Sequence, residues 1–223
     1  MTGENPITVI DMSTYARKAQ FDHFRNMTDP YAGVTVNVDV TDFAAQCRKK
    51  GKSFTLAFLH LAALAADDVP ELRQRIRGEE IVEYAQCPSS HIELLPNGAY
   101  CYCTVYHHGM GWQEYFAAAE KAQKDARTAQ VATDGADVES LYFVSCTPWL
   151  HYTDLKEPTD DRDVSNPRIF WGRYEEDWRG RKMMPVTVHA HHSLVDGYHI
   201  GKFYLALNKR LAAADLSELP DRE

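Results

Sequence analysis

Two adjacent histidines, His191 and His192, stand just ahead of an Asp196-Gly197 pair. A neutral imidazole is the side chain best suited to accept a proton near neutral pH. The Asp-Gly pair makes a tight turn and supplies one fixed charge. Other chemistries can be built from the same residues. His189 and His191 alternate on one face and could begin a metal site. Zinc needs a third ligand, however, and neither HExxH nor a similar spacing is present, so no metal is expected. A Ser-His-Asp hydrolase would carry a Gly-x-Ser-x-Gly elbow, which this chain lacks. Histidines of this kind also occur simply packed in cores or set on surface loops.

The pair needs elements to hold it. Residues 183–190 read as a strand that runs straight into His191-His192, and residues 197–212 read as a helix that follows at once. A strand-to-loop junction fixes a side chain on a rigid element and leaves one end open to a ligand. Further upstream, Asp11-Met12-Ser13 predicts a helix start, with a helix over 15–24. Residues 34–40 alternate strictly and predict a half-buried strand. Thr41 is expected to cap a short helix ended by Lys49-Lys50-Gly51. Residues 53–67 form the most apolar helix, predicted to be buried on nearly all sides. Pro70-Glu71-Leu72-Arg73 reads as a turn, and residues 81–84 as a strand. Strands near 90–94 and 99–106 flank a Pro96-Asn97-Gly98 hairpin turn. Residues 112–129 predict an amphipathic helix, 132–138 a polar loop and 141–146 a strand. A charged loop over 155–167, a strand over 168–174 and a turn over 177–181 complete the reading. Mixed elements without regular βαβ alternation predict an α+β fold with a large mixed sheet, in one domain over 1–223.

Composition narrows the function. The 223 residues carry a formal net charge of -8, which disfavours nucleic acid as a partner. No run of 18 apolar residues exists to span a membrane, and no basic segment followed by an apolar one opens the chain. Cys47, Cys87, Cys101, Cys103 and Cys146 lack scaffold spacing and read as reduced thiols, so the cytoplasm is the expected compartment.

His191-His192-x-x-x-Asp196-Gly197 resembles the HHxxxDG signature of coenzyme-A-dependent acyltransferases. The rest of the chain resembles the chloramphenicol acetyltransferase branch. The matching residues are Arg17 ahead of Phe21 and Phe24, Pro70-Glu71-Leu72-Arg73, Ser145-Cys146-Thr147-Pro148-Trp149, Gly172-Arg173-Tyr174 and Met184-Pro185-Val186. The resemblance implies the acyltransferase fold, a large mixed sheet flanked by helices in a two-layer sandwich. It also implies a homotrimer with active sites at subunit interfaces, and acetyl-CoA as cosubstrate. In that reading His192 is the general base on an acceptor hydroxyl and Ser145 stabilises the oxyanion. Asp196 and Arg17 form an ion pair that shapes the site. Arg173, Tyr174, Trp149 and Lys52 face coenzyme A, although the family's lysine falls one position along, at Ser53. Phe24, Tyr31, Tyr100, Tyr102 and Phe170 line the acceptor pocket.

Two positions depart from the pattern. Phe170 stands where a hydroxyl residue is common, and His189 where a polar amide is common. The run Tyr100-Cys101-Tyr102-Cys103-Thr104-Val105-Tyr106 is also more polar and aromatic than a nitrophenyl pocket usually is. Chloramphenicol is the first acceptor implied. A different small alcohol or amine is the second, and a non-catalytic binding protein the third. A dihydrolipoyl acyltransferase core fits less well, because Ser193 follows His192 where that branch often has Arg.

Overall fold

The computed structural model describes residues 5–130, 137–159 and 164–222. In chain order the elements are β1 (Ile7–Val9), α1 (Lys18–Phe24), β2 (Tyr31–Asp39), α2 (Thr41–Lys49), α3 (Phe54–Asp67), β3 (Gln74–Arg77), β4 (Glu80–Tyr84), β5 (Ser89–Leu94), β6 (Tyr100–Val105), α4 (Trp112–Ala129), β7 (Tyr142–Thr147), β8 (Arg168–Gly172), β9 (Glu175–Glu176), β10 (Lys182–His191) and α5 (Gly197–Ala213). Short 3₁₀ turns lie at Pro70–Arg73 and Val138–Ser140. Much of the loop expected over 132–138, and the centre of the charged loop over 155–167, lie outside the described residues.

The large sheet runs β2-β10-β8-β7-β5-β6, with β9 pairing β10. Its centre is parallel (β8 with β7, β7 with β5), and antiparallel pairs close both sides. This is the mixed sheet that the α+β reading calls for. One face of β10 carries Met184, Val186, Val188 and Ala190 into a core shared with α3 and α5. Helix α3 is buried without a break from Leu56 to Ala63, as expected for a helix apolar on all sides. The Tyr204 hydroxyl of α5 reaches the carbonyls of Val186 (2.7 Å) and Val34 (2.8 Å), tying the helix to two strands. On the opposite face of the sheet the Thr187 hydroxyl meets the Tyr152 hydroxyl at 3.2 Å.

The structure corrects several expectations. The stretch from Asp11 is a turn rather than a helix start, because the Asp11 carboxylate accepts from the Ser13 N–H at 2.9 Å. Regular helix begins only at Lys18. Thr41 does not cap α2; Val40 occupies that position, and the Thr41 hydroxyl accepts from the Lys182 N–H at 2.8 Å. The strand expected over residues 81–84 is present as β4, and it lies in a separate three-stranded sheet, β1-β4-β3. Its strand β3 is polar in sequence and shows no alternation. The strand expected over 168–174 stops at Gly172, because the next N–H, that of Arg173, turns to the Leu150 carbonyl at 2.7 Å.

Candidate active site

Strand β10 delivers His192 to the end of the large sheet. The His192 N–H still continues the ladder, donating to the Pro30 carbonyl at 2.7 Å. The chain then turns, and the N–H groups of Leu194 and Val195 return to the His191 carbonyl at 2.9 and 3.0 Å. Within this turn the His192 Nδ1 lies 2.9 Å from the Val195 carbonyl oxygen. A carbonyl only accepts, so Nδ1 carries the hydrogen and Nε2 of the neutral ring is left with its lone pair. The ring stacks on Phe24, the last residue of α1, with centroids 3.8 Å apart and planes 19° from parallel. His192 is half-buried, so the ring is fixed yet reachable.

Asp196 closes the turn and opens α5. Its carboxylate accepts from the Tyr198 N–H at 2.9 Å, and its own N–H donates to His199 Nδ1 at 3.2 Å. This is a capping box with histidine in the role usually taken by glutamate or glutamine. Arg17 Nη1 pairs with the Asp196 carboxylate, while Nη2 donates to the His192 carbonyl at 3.3 Å. One guanidinium therefore holds both ends of the turn. Burial alone would raise the Asp196 pKa, but the hydrogen bond from Arg17, the nearby His199 and the Tyr198 N–H together hold it below the usual carboxylate range. Burial lowers the His199 pKa, with Glu71 and Asp196 opposing that shift.

Ser145 lies elsewhere. On β7 it pairs with Phe170, Phe170 pairs with Thr187, and Thr187 pairs with Thr35. These side chains cross the sheet on the face away from the helices. His192 lies five residues beyond Thr187 along β10. At about 3.3 Å per residue and about 4.8 Å between strands, Ser145 is roughly 16 Å away along the strands and roughly 10 Å across them. One chain does not bring the two groups to one reacting atom.

The remaining candidates divide between these two places. Phe24 is at His192, and Tyr31 is near, edge-on to His191 with centroids 5.7 Å apart. The Tyr31 hydroxyl is already held by the carbonyls of Val164 and Asn166 at 2.8 and 3.0 Å. Phe170 belongs to the row of Ser145, is 2% exposed, and meets His189 edge-on with centroids 5.8 Å apart. Tyr102 pairs with Ile92, which stands at the level of Ser145, and packs edge-to-face on Tyr100. Ile92, Leu94 and Tyr100 are 42%, 58% and 54% exposed, an apolar patch that leads up to Ser145.

The coenzyme candidates gather at the far end of β7 and β8. The Arg173 N–H donates to the Leu150 carbonyl at 2.7 Å, and His151 Nδ1 donates to the Arg173 carbonyl at 3.0 Å. The turn bearing Trp149 is thus folded against Gly172-Arg173, with the indole exposed. Tyr174 meets Phe54 edge-on at 5.8 Å, under the Lys182 ammonium. Lys52 sits over the Phe116 ring, 5.0 Å from its centroid. Arg173 pairs with Glu175 and is otherwise open to solvent. Cations and aromatic faces on one rim can meet phosphate and adenine.

Sequence reasoning missed His199, the Val195 carbonyl and the exposed Ile92 and Leu94. A polar residue three after a capping Asp was a readable sign of His199. The other three depend on strand pairing and the path of the turn.

Comparison with known proteins gives a consistent result. The family model described as chloramphenicol acetyltransferase matches residues 5–208. A chloramphenicol acetyltransferase of Escherichia coli is 28% identical over 221 residues, covering 87% of this chain and 89% of that protein. A solved chloramphenicol acetyltransferase structure superposes with a TM-score of 0.80 at 24% identity, covering 92% of this chain and 100% of the other. The dihydrolipoamide acetyltransferase of Azotobacter vinelandii shares the fold, with a TM-score of 0.66 at 16% identity over 87% of this chain and 86% of that one.

Proposed function

The chain belongs to the chloramphenicol acetyltransferase family, and from that premise we propose that it transfers the acetyl group of acetyl-CoA to a hydroxyl of chloramphenicol. The observation that carries the reading is the locked His192 ring. Its Nδ1–H is committed to the Val195 carbonyl, so Nε2 is free to take a proton. Nε2 removes the acceptor's hydroxyl proton as that oxygen attacks the thioester carbonyl. The Ser145 hydroxyl donates to the oxyanion of the tetrahedral intermediate. Collapse breaks the carbon–sulfur bond, and the imidazolium returns the proton to the leaving thiolate. Arg17 and Asp196 hold the turn that aims the ring. Arg173, Tyr174, Trp149 and Lys52 bind the coenzyme.

The separation of Ser145 from His192 supports an assembly in which each site takes His192 from one copy and Ser145 from its neighbour. The exposed apolar patch at Ile92, Leu94 and Tyr100 supports a neighbour seated beside Ser145. A closed ring of three is our reading of that assembly, in agreement with the expectation above, and the cytoplasm is its proposed compartment. No helix among the described residues is long and apolar enough to cross a membrane.

A second reading keeps the chemistry and changes the acceptor to another small alcohol or amine. It is favoured by Phe170, which is buried beside Ser145 and offers no hydroxyl, and by the Tyr100-Tyr102 pair. The test is release of free thiol from acetyl-CoA on addition of chloramphenicol. Release that is lost in His192→Ala supports the first reading. No release with chloramphenicol, but release with another alcohol or amine, supports the second.

A further inference from the structure

We propose that residues 214–222, which follow α5 and lie past residue 208 where the family match stops, form a strap that positions the coenzyme-A end of the site. The proposal rests on the assignment of Lys52, Arg173 and Tyr174 to coenzyme A. The segment is wired to the end of α2. Gln46 donates to the Ala214 carbonyl at 3.0 Å and accepts from the Leu216 N–H at 3.1 Å. The Lys50 ammonium reaches the Leu219 carbonyl at 2.6 Å and the Asp221 carboxylate at 2.8 Å. The Arg222 N–H donates to the Lys49 carbonyl at 3.0 Å. Leu216 and Leu219 are buried to 0% and 3% exposure, which anchors the strap in the core. Glu218 accepts from the Gln113 N–H at the start of α4, 3.3 Å away.

These ties converge on the turn that ends α2. Gly51 has φ +63°, and the Arg222 side chain lies 3.1 Å from where a Gly51 Cβ would stand. Directly after this turn come Lys52, the α3 cap Ser53, and Phe54 against Tyr174. The strap therefore fixes the backbone that leads into the coenzyme rim. It also carries Asp215, Glu218 and Asp221, charges that would repel a phosphate if electrostatics were their whole effect.

That opposition of sign makes the test. Asp221→Asn removes a negative charge and a strap contact at a side chain 57% exposed, where folding is not at risk. A positioning strap predicts that the Kd for coenzyme A, measured by titration calorimetry, and the KM for acetyl-CoA both rise by about 3- to 10-fold, on the scale of one lost ordering contact. The kcat and the acceptor KM stay within about two-fold, because a uniform binding loss does not touch the chemical step. Asp221→Glu restores binding. If electrostatics is the whole effect, Asp221→Asn tightens coenzyme A, and that result overturns the strap. An unchanged Kd overturns it too, provided that Arg173→Ala weakens coenzyme A. If Arg173→Ala and Tyr174→Ala also leave the Kd unchanged, the assignment of this rim to coenzyme A fails, and the strap's role fails with it.

Discussion

The Nδ1 of His192 lies 2.9 Å from the main-chain carbonyl of Val195, three residues further along the same turn. The tautomer of the ring is thus set by backbone rather than by a carboxylate. Asp196 is occupied with Arg17, as the resemblance implies, and with the Tyr198 N–H at the start of α5. His192→Ala should lower kcat/KM by about 100- to 10,000-fold, the usual worth of a positioned base. Circular dichroism should stay unchanged, since the ring is only half-buried. An activity within ten-fold of wild type would remove His192 from the mechanism.

The Arg17–Asp196 pair leads to a second prediction. Its side chains are 15% and 34% exposed, so the pair is screened in part. Arg17→Ala should cost about 1 to 3 kcal/mol of stability, less than the roughly 3 to 5 kcal/mol typical of breaking a fully buried pair. It should also lower kcat, because the His192 carbonyl loses a donor and the turn loosens. Urea denaturation and steady-state kinetics on the same variant check both effects. A stability loss with kcat intact would make the pair a cap for α5 and nothing more.

Acid should destabilise the fold through a cluster away from the site. The Nδ1 atoms of His60 and His107 are 3.3 Å apart, and His107 Nε2 lies 2.8 Å from the Ser89 hydroxyl. One hydrogen fits between the two rings, and a second would turn two N–H groups toward each other and leave a buried cation there. Burial, helped by the nearby Arg210 and His108, lowers the His60 pKa to about 4, and burial lowers that of His107 as well. Both folded-state values lie below the unfolded value near 6.5. The unfolded chain therefore binds more protons, and stability falls as pH drops from about 6.5 toward 4. The thermal midpoint should decline over that window. His60→Gln should flatten the decline, and an equally steep decline in that variant would place the acid sensitivity elsewhere.

Much of the fold was legible because its pattern is local. Residues 34–40 alternate, and α3 and α4 carry long helical stretches with clear limits. Strand β3 was not legible. Gln74-Arg75-Ile76-Arg77 reads as surface, yet Arg75 is 0% exposed and its guanidinium is satisfied by the carbonyls of Leu72, Gln74, Glu139 and Leu141. A charge buried against main-chain oxygens leaves no mark on hydrophobic periodicity. At the site, His192, Asp196 and Arg17 were readable as motif residues. The distance from Ser145 to His192 was not, because it depends on strand order and register.

That distance yields the last prediction. Ser145→Ala should lower kcat by about 100- to 1,000-fold if its hydroxyl serves the oxyanion, since one such donor is worth roughly 3 to 4 kcal/mol. His192→Ala should be at least as damaging. If each site is built from two chains, unfolding the two inactive variants together and refolding them should restore activity. A ring that pairs each chain with the next in one direction uses a heterologous interface. With equal mixing, about one site in four then joins an intact His192 to an intact Ser145, so recovery should approach about a quarter of wild type. Refolding each variant alone provides the baseline. If the mixture stays at that baseline while native mass spectrometry shows mixed assemblies, His192 and Ser145 do not meet across an interface. The roughly 16 Å of strand between them would then exclude Ser145 from the chemistry that His192 performs.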